Sequence, residues 1–219
     1  MDLKGKKIAF LGDSITEGAG ASDKINGYVD RVKELANLKE AKNYGISGTR
    51  FAKQTKLFEG QTIDENYIKR VEIMDSDVDA VVVFGGTNDF GHGDAPYGNI
   101  LDISGETFCG ACDELMRKLI EKYNNIPIVF LTPLHRFTED DLINEIGLPR
   151  KTLKEYVDAI RIKAEKYSIP ILDLYSKSGM QPNVLVQNDL YFADGLHPND
   201  KGHERIAKLL IKFFDGIVE

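Results

Sequence analysis

Short apolar runs alternate along the chain with longer stretches in which apolar residues recur every three or four positions. Ile8-Ala9-Phe10-Leu11 is the first run and ends at Gly12-Asp13-Ser14, residues that favour a turn. Ala41–Tyr44 leads into Gly45-Ile46-Ser47-Gly48, and Ala80–Phe84, dense in β-branched residues, stops at Gly85-Gly86. Ile126–Leu131 is closed by Thr132-Pro133, and Ile169–Leu174 is the last run. Such runs predict strands buried on both faces of a parallel sheet.

Helical spacing fills the intervals. Tyr28, Val32, Leu35 and Ala36 share one face, with Asn26-Gly27 as the start. Phe108, Cys112, Leu115, Leu119 and Tyr123 share another. Thr152-Leu153-Lys154-Glu155 is a capping-box signature before a helix carrying Val157, Ile160, Ala164 and Tyr167. A final helix starts at Asn199 or Asp200 and turns Ile206, Leu209, Leu210 and Phe213 inward. This alternation predicts an α/β fold with a five-stranded parallel sheet, one domain over residues 1–219. The connections 90–105 and 134–150 are long for such a fold, and long loops in compact domains tend to carry function.

Composition narrows the function. With 42% hydrophobic and 29% charged residues the 219-residue chain is ordinary globular protein. A net charge of −7 argues against nucleic acid and anionic membranes as partners. The apolar run before Gly12 is too short for a signal-peptide core, and no run approaches a membrane span, so the expected location is the cytoplasm. The two cysteines form Cys109-Gly110-Ala111-Cys112. A redox pair of this kind would sit at a helix start, whereas here it is embedded in an amphipathic pattern with no second Cys pair or His pair for zinc, which favours a structural role.

In an open parallel sheet, residues just after the strands gather along the carboxyl edge. Those residues are Ser14, then Asn43-Tyr44-Gly45, then Gly86-Thr87-Asn88-Asp89, and after the fifth strand Asp194-Gly195-Leu196-His197-Pro198. They are the parts of acyl transfer to serine. A serine hydroxyl is a weak nucleophile and needs a base such as His197 within reach. Asp194 can hold the other ring nitrogen in the required tautomer. The N–H groups of Ser14 and Gly45 and the Asn88 side-chain amide are candidate donors to the developing oxyanion. Losing one such donor typically costs about 3–4 kcal/mol of transition-state stabilisation. On its own, Ser14 reads equally well as a helix cap.

Gly12-Asp13-Ser14, Gly45, Asn88 and Asp194-x-x-His197 resemble the four signature blocks of the SGNH (GDSL) hydrolase family, in the family's order and across residues 8 to about 203. Ile15, where the family often has Leu, is a departure that conserves bulk. The resemblance implies a flavodoxin-like α/β/α sandwich and ester hydrolysis by Ser14 and His197 without metal or cofactor. Asp194 would orient His197, and Ser14, Gly45 and Asn88 would form the oxyanion hole.

Rival readings are weaker. The G-x-S-x-G elbow of α/β-hydrolases, the G-K-[ST] ending of a phosphate loop and the G-x-G-x-x-G of dinucleotide binders are all missing. Asp13, Asn88, Asp89, Asp194 and His197 could ligate two metals in a phosphoesterase, but such a site wants His paired with Asp after the first strand. A non-catalytic binding domain would leave Ser14 and His197 incidental. Asp13 and Asp89 read as braces of their turns. His92, in a loop expected to be mobile, and His135 and Arg136, after the fourth strand, are candidate substrate contacts. His203, on the last helix, is expected to be partly exposed.

The loops carry Gly, Asp, His, Arg and Tyr and no long apolar lid. Tyr97, Tyr191 and Phe192 are available for stacking on a sugar, with Tyr191 a candidate substrate contact. The expected substrate is a short-chain ester, an acetylated oligosaccharide inside the cell being the working case. Lysophospholipase or thioesterase activity is the alternative, and assembly into a homo-oligomer stays open.

Overall fold

The computed structural model describes residues 1–57 and 62–218. In chain order the elements are β1 (Lys7–Gly12), α1 (Ser14–Glu17), α2 (Tyr28–Leu35), β2 (Glu40–Gly45), α3 (Tyr67–Ile73), β3 (Ala80–Phe84), α4 (Thr87–His92), α5 (Phe108–Lys122) and β4 (Ile128–Leu131). There follow α6 (Leu153–Lys166), β5 (Ile171–Leu172), α7 (Leu174–Lys177), α8 (Leu185–Tyr191) and α9 (Asp200–Phe214), with one 3₁₀ turn at Lys24–Asn26. The five strands form one parallel sheet in the order β2-β1-β3-β4-β5, the flavodoxin-like arrangement expected from the sequence.

Alternation along the strands feeds two cores. Ala9, Leu11, Val81 and Val83 face one side, beneath Val71 of α3, Leu115 of α5 and Ile160 of α6. Ile8, Phe10, Val82 and Phe84 face the other, beneath Val32 of α2 and Ile206, Leu210 and Phe214 of α9. The register aligns the carboxyl ends: Gly12 pairs with Gly45 and Phe84, Phe84 with Leu131, and Leu131 with Leu172. Every turn that follows a strand therefore opens on the same edge.

The capping box at Thr152 and Glu155 forms, and Asn199 caps α9 through Lys201 and Gly202 N–H. Some expectations shift. β4 begins at Ile128 and β5 keeps only Ile171 and Leu172, because Leu174 has already entered α7. Cys109 does lie in the first turn of α5, with Cys112 just beyond it, yet both thiols are buried and burial pushes them up, Cys112 well above the ordinary thiol value, opposite to what redox chemistry needs. No helix among the described residues is long and apolar enough to cross a membrane.

Candidate active site

β1 delivers Ser14 to the edge through a tight fold-back. A Cβ on Gly12 would lie 1.8 Å from Thr16 Oγ1, so only glycine lets α1 turn over the strand end. The Asp13 carboxylate accepts from Ile15 N–H at 3.0 Å and braces this turn. Burial pushes Asp13 up to about 6.

Ser14 Oγ lies 3.0 Å from His197 Nε2, and His197 Nδ1 lies 2.7 Å from Asp194 Oδ2. The other Asp194 oxygen accepts from the N–H groups of Leu196 and His197 at 3.0 and 2.7 Å, an Asx turn that fixes carboxylate and imidazole on one short loop. Burial opposes ionisation of Asp194. The His197 ring and the two backbone donors outweigh it and hold the carboxyl below the usual carboxylate value. The loop is anchored on both sides: Ala193 N–H donates to His197 O at 2.9 Å, and Phe137 N–H donates to Gly195 O at 3.0 Å.

Asn88, in the first turn of α4, is buried and donates through Nδ2 to Thr49 O at 3.1 Å. One amide hydrogen is thereby committed and orients the other. Gly45 is the main correction. Its N–H donates to Asn43 Oδ1 at 2.8 Å, and a Cβ there would lie 2.2 Å from Glu17 N, so it serves the packing of β2 against α1 and does not line the cleft. Gly48, three residues on, does. The sequence Gly45-Ile46-Ser47-Gly48 offers two glycines at one turn, and only the path of the chain distinguishes them.

The cleft holds about 300 Å³ and is lined by Ser14, Ala19, Ser47, Gly48, Asn88, His92, Arg136, Glu145, Leu196 and His197. His92 closes α4 rather than lying in a loop. Burial, with the Arg50 guanidinium beside it, pushes His92 down to about 4, so the ring is neutral at pH 7. Arg136 lines the cleft, whereas His135 turns away: its Nδ1 meets Glu139 Oε2 at 2.8 Å and its ring packs at 3.9 Å on Tyr175. Tyr191 also lies elsewhere, its ring 5.4 Å from the Arg205 guanidinium. Tyr97 packs on Phe108 and Tyr156, and Phe192 is buried, so none of the three aromatics lines the cleft. Glu145 had no signal in the sequence, being one acid in a long polar connection.

The carboxylates that a two-metal site would use are engaged otherwise. Asp89 accepts from Phe51 and Ala52 N–H at 2.9 and 3.0 Å, and burial pushes it up to about 7. Among the described residues no three His, Cys, Asp or Glu side chains gather as ligands. His203 is also corrected: it is fully buried, its Nδ1 accepting from Tyr28 N–H at 3.2 Å and its Nε2 donating to Ala19 O at 3.0 Å.

Comparison with known proteins agrees with this architecture. A crystal structure of a protein from Lactobacillus plantarum superposes with a TM-score of 0.83 at 29% identity, covering 99% of each chain. A two-domain esterase active on acetylated mannans superposes with a TM-score of 0.66 at 20% identity, over 96% of this chain and 48% of that one, a likeness of fold. An acetylxylan esterase of Xylanibacter ruminicola is 24% identical over 217 residues, 93% of this chain but only 42% of the relative's length. The sequence profile of the GDSL-like lipase/acylhydrolase family matches residues 10–205, and the chain belongs to that family.

Proposed function

We propose that the protein is a serine esterase that removes short acyl groups, acetyl above all, from carbohydrate esters. The observation that carries this reading is the continuous Asp194–His197–Ser14 hydrogen-bond chain, at 2.7 and 3.0 Å, opening on a small cleft. In the first half-reaction Ser14 Oγ attacks the acyl carbon while His197 Nε2 takes its proton. Asp194 keeps the proton on Nδ1 and stabilises the imidazolium that forms. The carbonyl oxygen, now negative, is met by the N–H groups of Ser14 and Gly48 and by the second amide hydrogen of Asn88. His197 then protonates the departing alcohol. Water, deprotonated by the same nitrogen, attacks the acyl-serine; the acyl C–Oγ bond breaks, His197 returns the proton to Ser14 Oγ, and the acid leaves.

Two features support a short acyl group. The volume of about 300 Å³ is at the lower end for small-molecule sites. The lining includes the Arg136–Glu145 ion pair, which a long apolar chain would have to pack against. The carbohydrate half is supported by the acetylxylan esterase relative and the mannan esterase of the same fold.

The reading is tested by a chain-length series of 4-nitrophenyl esters together with acetate release from acetylated xylo-oligosaccharides. It predicts that acetate outpaces octanoate and that acetate is released from the oligosaccharide. A preference for long chains overturns the short-chain assignment, and loss of turnover in chelator overturns the serine mechanism.

A further inference from the structure

We propose that Arg136 and Glu145 form a hydroxyl-reading wall that selects esters of polyhydroxylated alcohols over esters of plain ones. This rests on the esterase reading and concerns the non-reacting part of the substrate.

The wall is built rather than incidental. Arg136 is buried, and its Nη1 donates to Thr87 O and Oγ1 at 3.2 and 3.3 Å, tying it to the first residue of α4. Its Nη2 donates to Glu145 Oε1 at 2.5 Å. Its Nε is buried with no hydrogen-bond partner, in a side chain that lines the cleft. Glu145 is set by its own backbone, its N–H donating to Gly91 O at 2.9 Å, while neighbouring Asn144 donates through Nδ2 to Gly93 O at 2.8 Å. The long connection is thus docked on the end of the helix that carries Asn88. Gly91 completes the cradle: a Cβ there would lie 2.8 Å from Arg136 Nη1 and 3.0 Å from Glu145 Oε1, so the pair rests where a side chain would otherwise stand.

A guanidinium and a carboxylate held side by side present donors and acceptors together. Adjacent hydroxyls on a sugar ring match that surface, each able to donate to Glu145 and accept from Arg136. Glu145 is half exposed, so in the free protein its carboxylate is open to water. An alkyl alcohol entering the cleft would strip that water and return no hydrogen bond. Sites built to bond a substrate hydroxyl discriminate strongly against analogues that lack it. Neither residue touches the reacting atoms in this account; both act on which alcohol is accepted.

The test is the ratio of kcat/KM for mono-O-acetylated methyl β-xyloside to that for cyclohexyl acetate, in the wild type, in Glu145→Gln and in Gly91→Ala. Glu145→Gln keeps shape on a half-exposed side chain, and Gly91→Ala displaces the pair without removing either member. The wild-type ratio is expected to exceed about tenfold and to fall toward one in both variants. A wild type with no preference, or variants that keep the ratio, overturns the proposal. A wild type that hydrolyses 4-nitrophenyl acetate yet shows no preference overturns only this inference, whereas one that hydrolyses no ester overturns the esterase reading beneath it.

Discussion

Both terminal nitrogens of Arg70 donate to the carbonyl of Gly12, each at 3.1 Å, two residues before Ser14. The same guanidinium donates to Tyr44 O at 2.5 Å and to Thr49 Oγ1 at 2.7 Å, so one buried side chain on α3 ties the end of β1 to the end of β2 and to the loop that carries Gly48. Thr49 O in turn receives the Asn88 amide. The segments that would supply all three oxyanion donors are joined through this cation.

Arg70→Lys keeps the charge but loses the fork: with Nε donating to Glu65 O at 3.0 Å the guanidinium serves four acceptors, and an ammonium has three donors on one atom. The expected result is a folded protein, by circular dichroism, whose kcat for 4-nitrophenyl acetate falls about tenfold or more with little change in KM, since misplacement of catalytic groups is costly. Arg70→Met, which leaves buried acceptors unpaired, should lower the unfolding free energy by at least about 2 kcal/mol in a denaturant titration.

Asn88→Ala should lower kcat about 10²–10³-fold without altering the fold, the cost of one oxyanion donor. Steady-state kinetics on a short-chain nitrophenyl ester measures it. Gly45→Ala separates the two glycines: it should act chiefly on stability, because its Cβ would collide with the α1 backbone 2.2 Å away.

Most of the framework was legible because β1, β3 and β4 are unbroken apolar runs ending in turn-forming residues, which is what burial on both faces of a parallel sheet demands. From there Ser14, Asn88 and the Asp194–His197 turn fall on one edge by topology. The misreadings have physical causes. Gly45 and Gly48 differ in whether the backbone faces α1 or the cleft, and no local pattern encodes that. α4 contains Asn88, Asp89 and Gly91, poor helix formers, and it persists because Asp89 bonds the 51–52 backbone and Arg136 bonds Thr87. Tyr191 stands three residues before Asp194, but it ends α8 and its ring turns toward Arg205 rather than into the cleft.

His203 gives a pH signature in stability. Burial pushes it down to about 4 from an ordinary value of 6.5, so the folded state refuses a proton that the unfolded chain accepts. Its stabilising contribution is therefore full above pH 6.5 and is lost as the pH falls toward about 4, flattening below that. The span corresponds to as much as about 3 kcal/mol. Because the buried carboxyls of Asp13 and Asp89 are pushed up and act with the opposite sign, the measurement is a difference: the unfolding free energy of wild type minus that of His203→Gln. That difference should shrink between pH 6.5 and 4, and a constant difference would contradict the assignment.

The central claim is that Ser14 is the nucleophile activated by His197. Titration with a fluorophosphonate in the presence of chelator, followed by peptide mass spectrometry alongside residual esterase activity, tests it most directly. The account predicts a single adduct on Ser14, activity lost in proportion to that adduct, and neither labelling nor turnover in Ser14→Ala. Full activity with Ser14 modified, or turnover retained in Ser14→Ala, would contradict it.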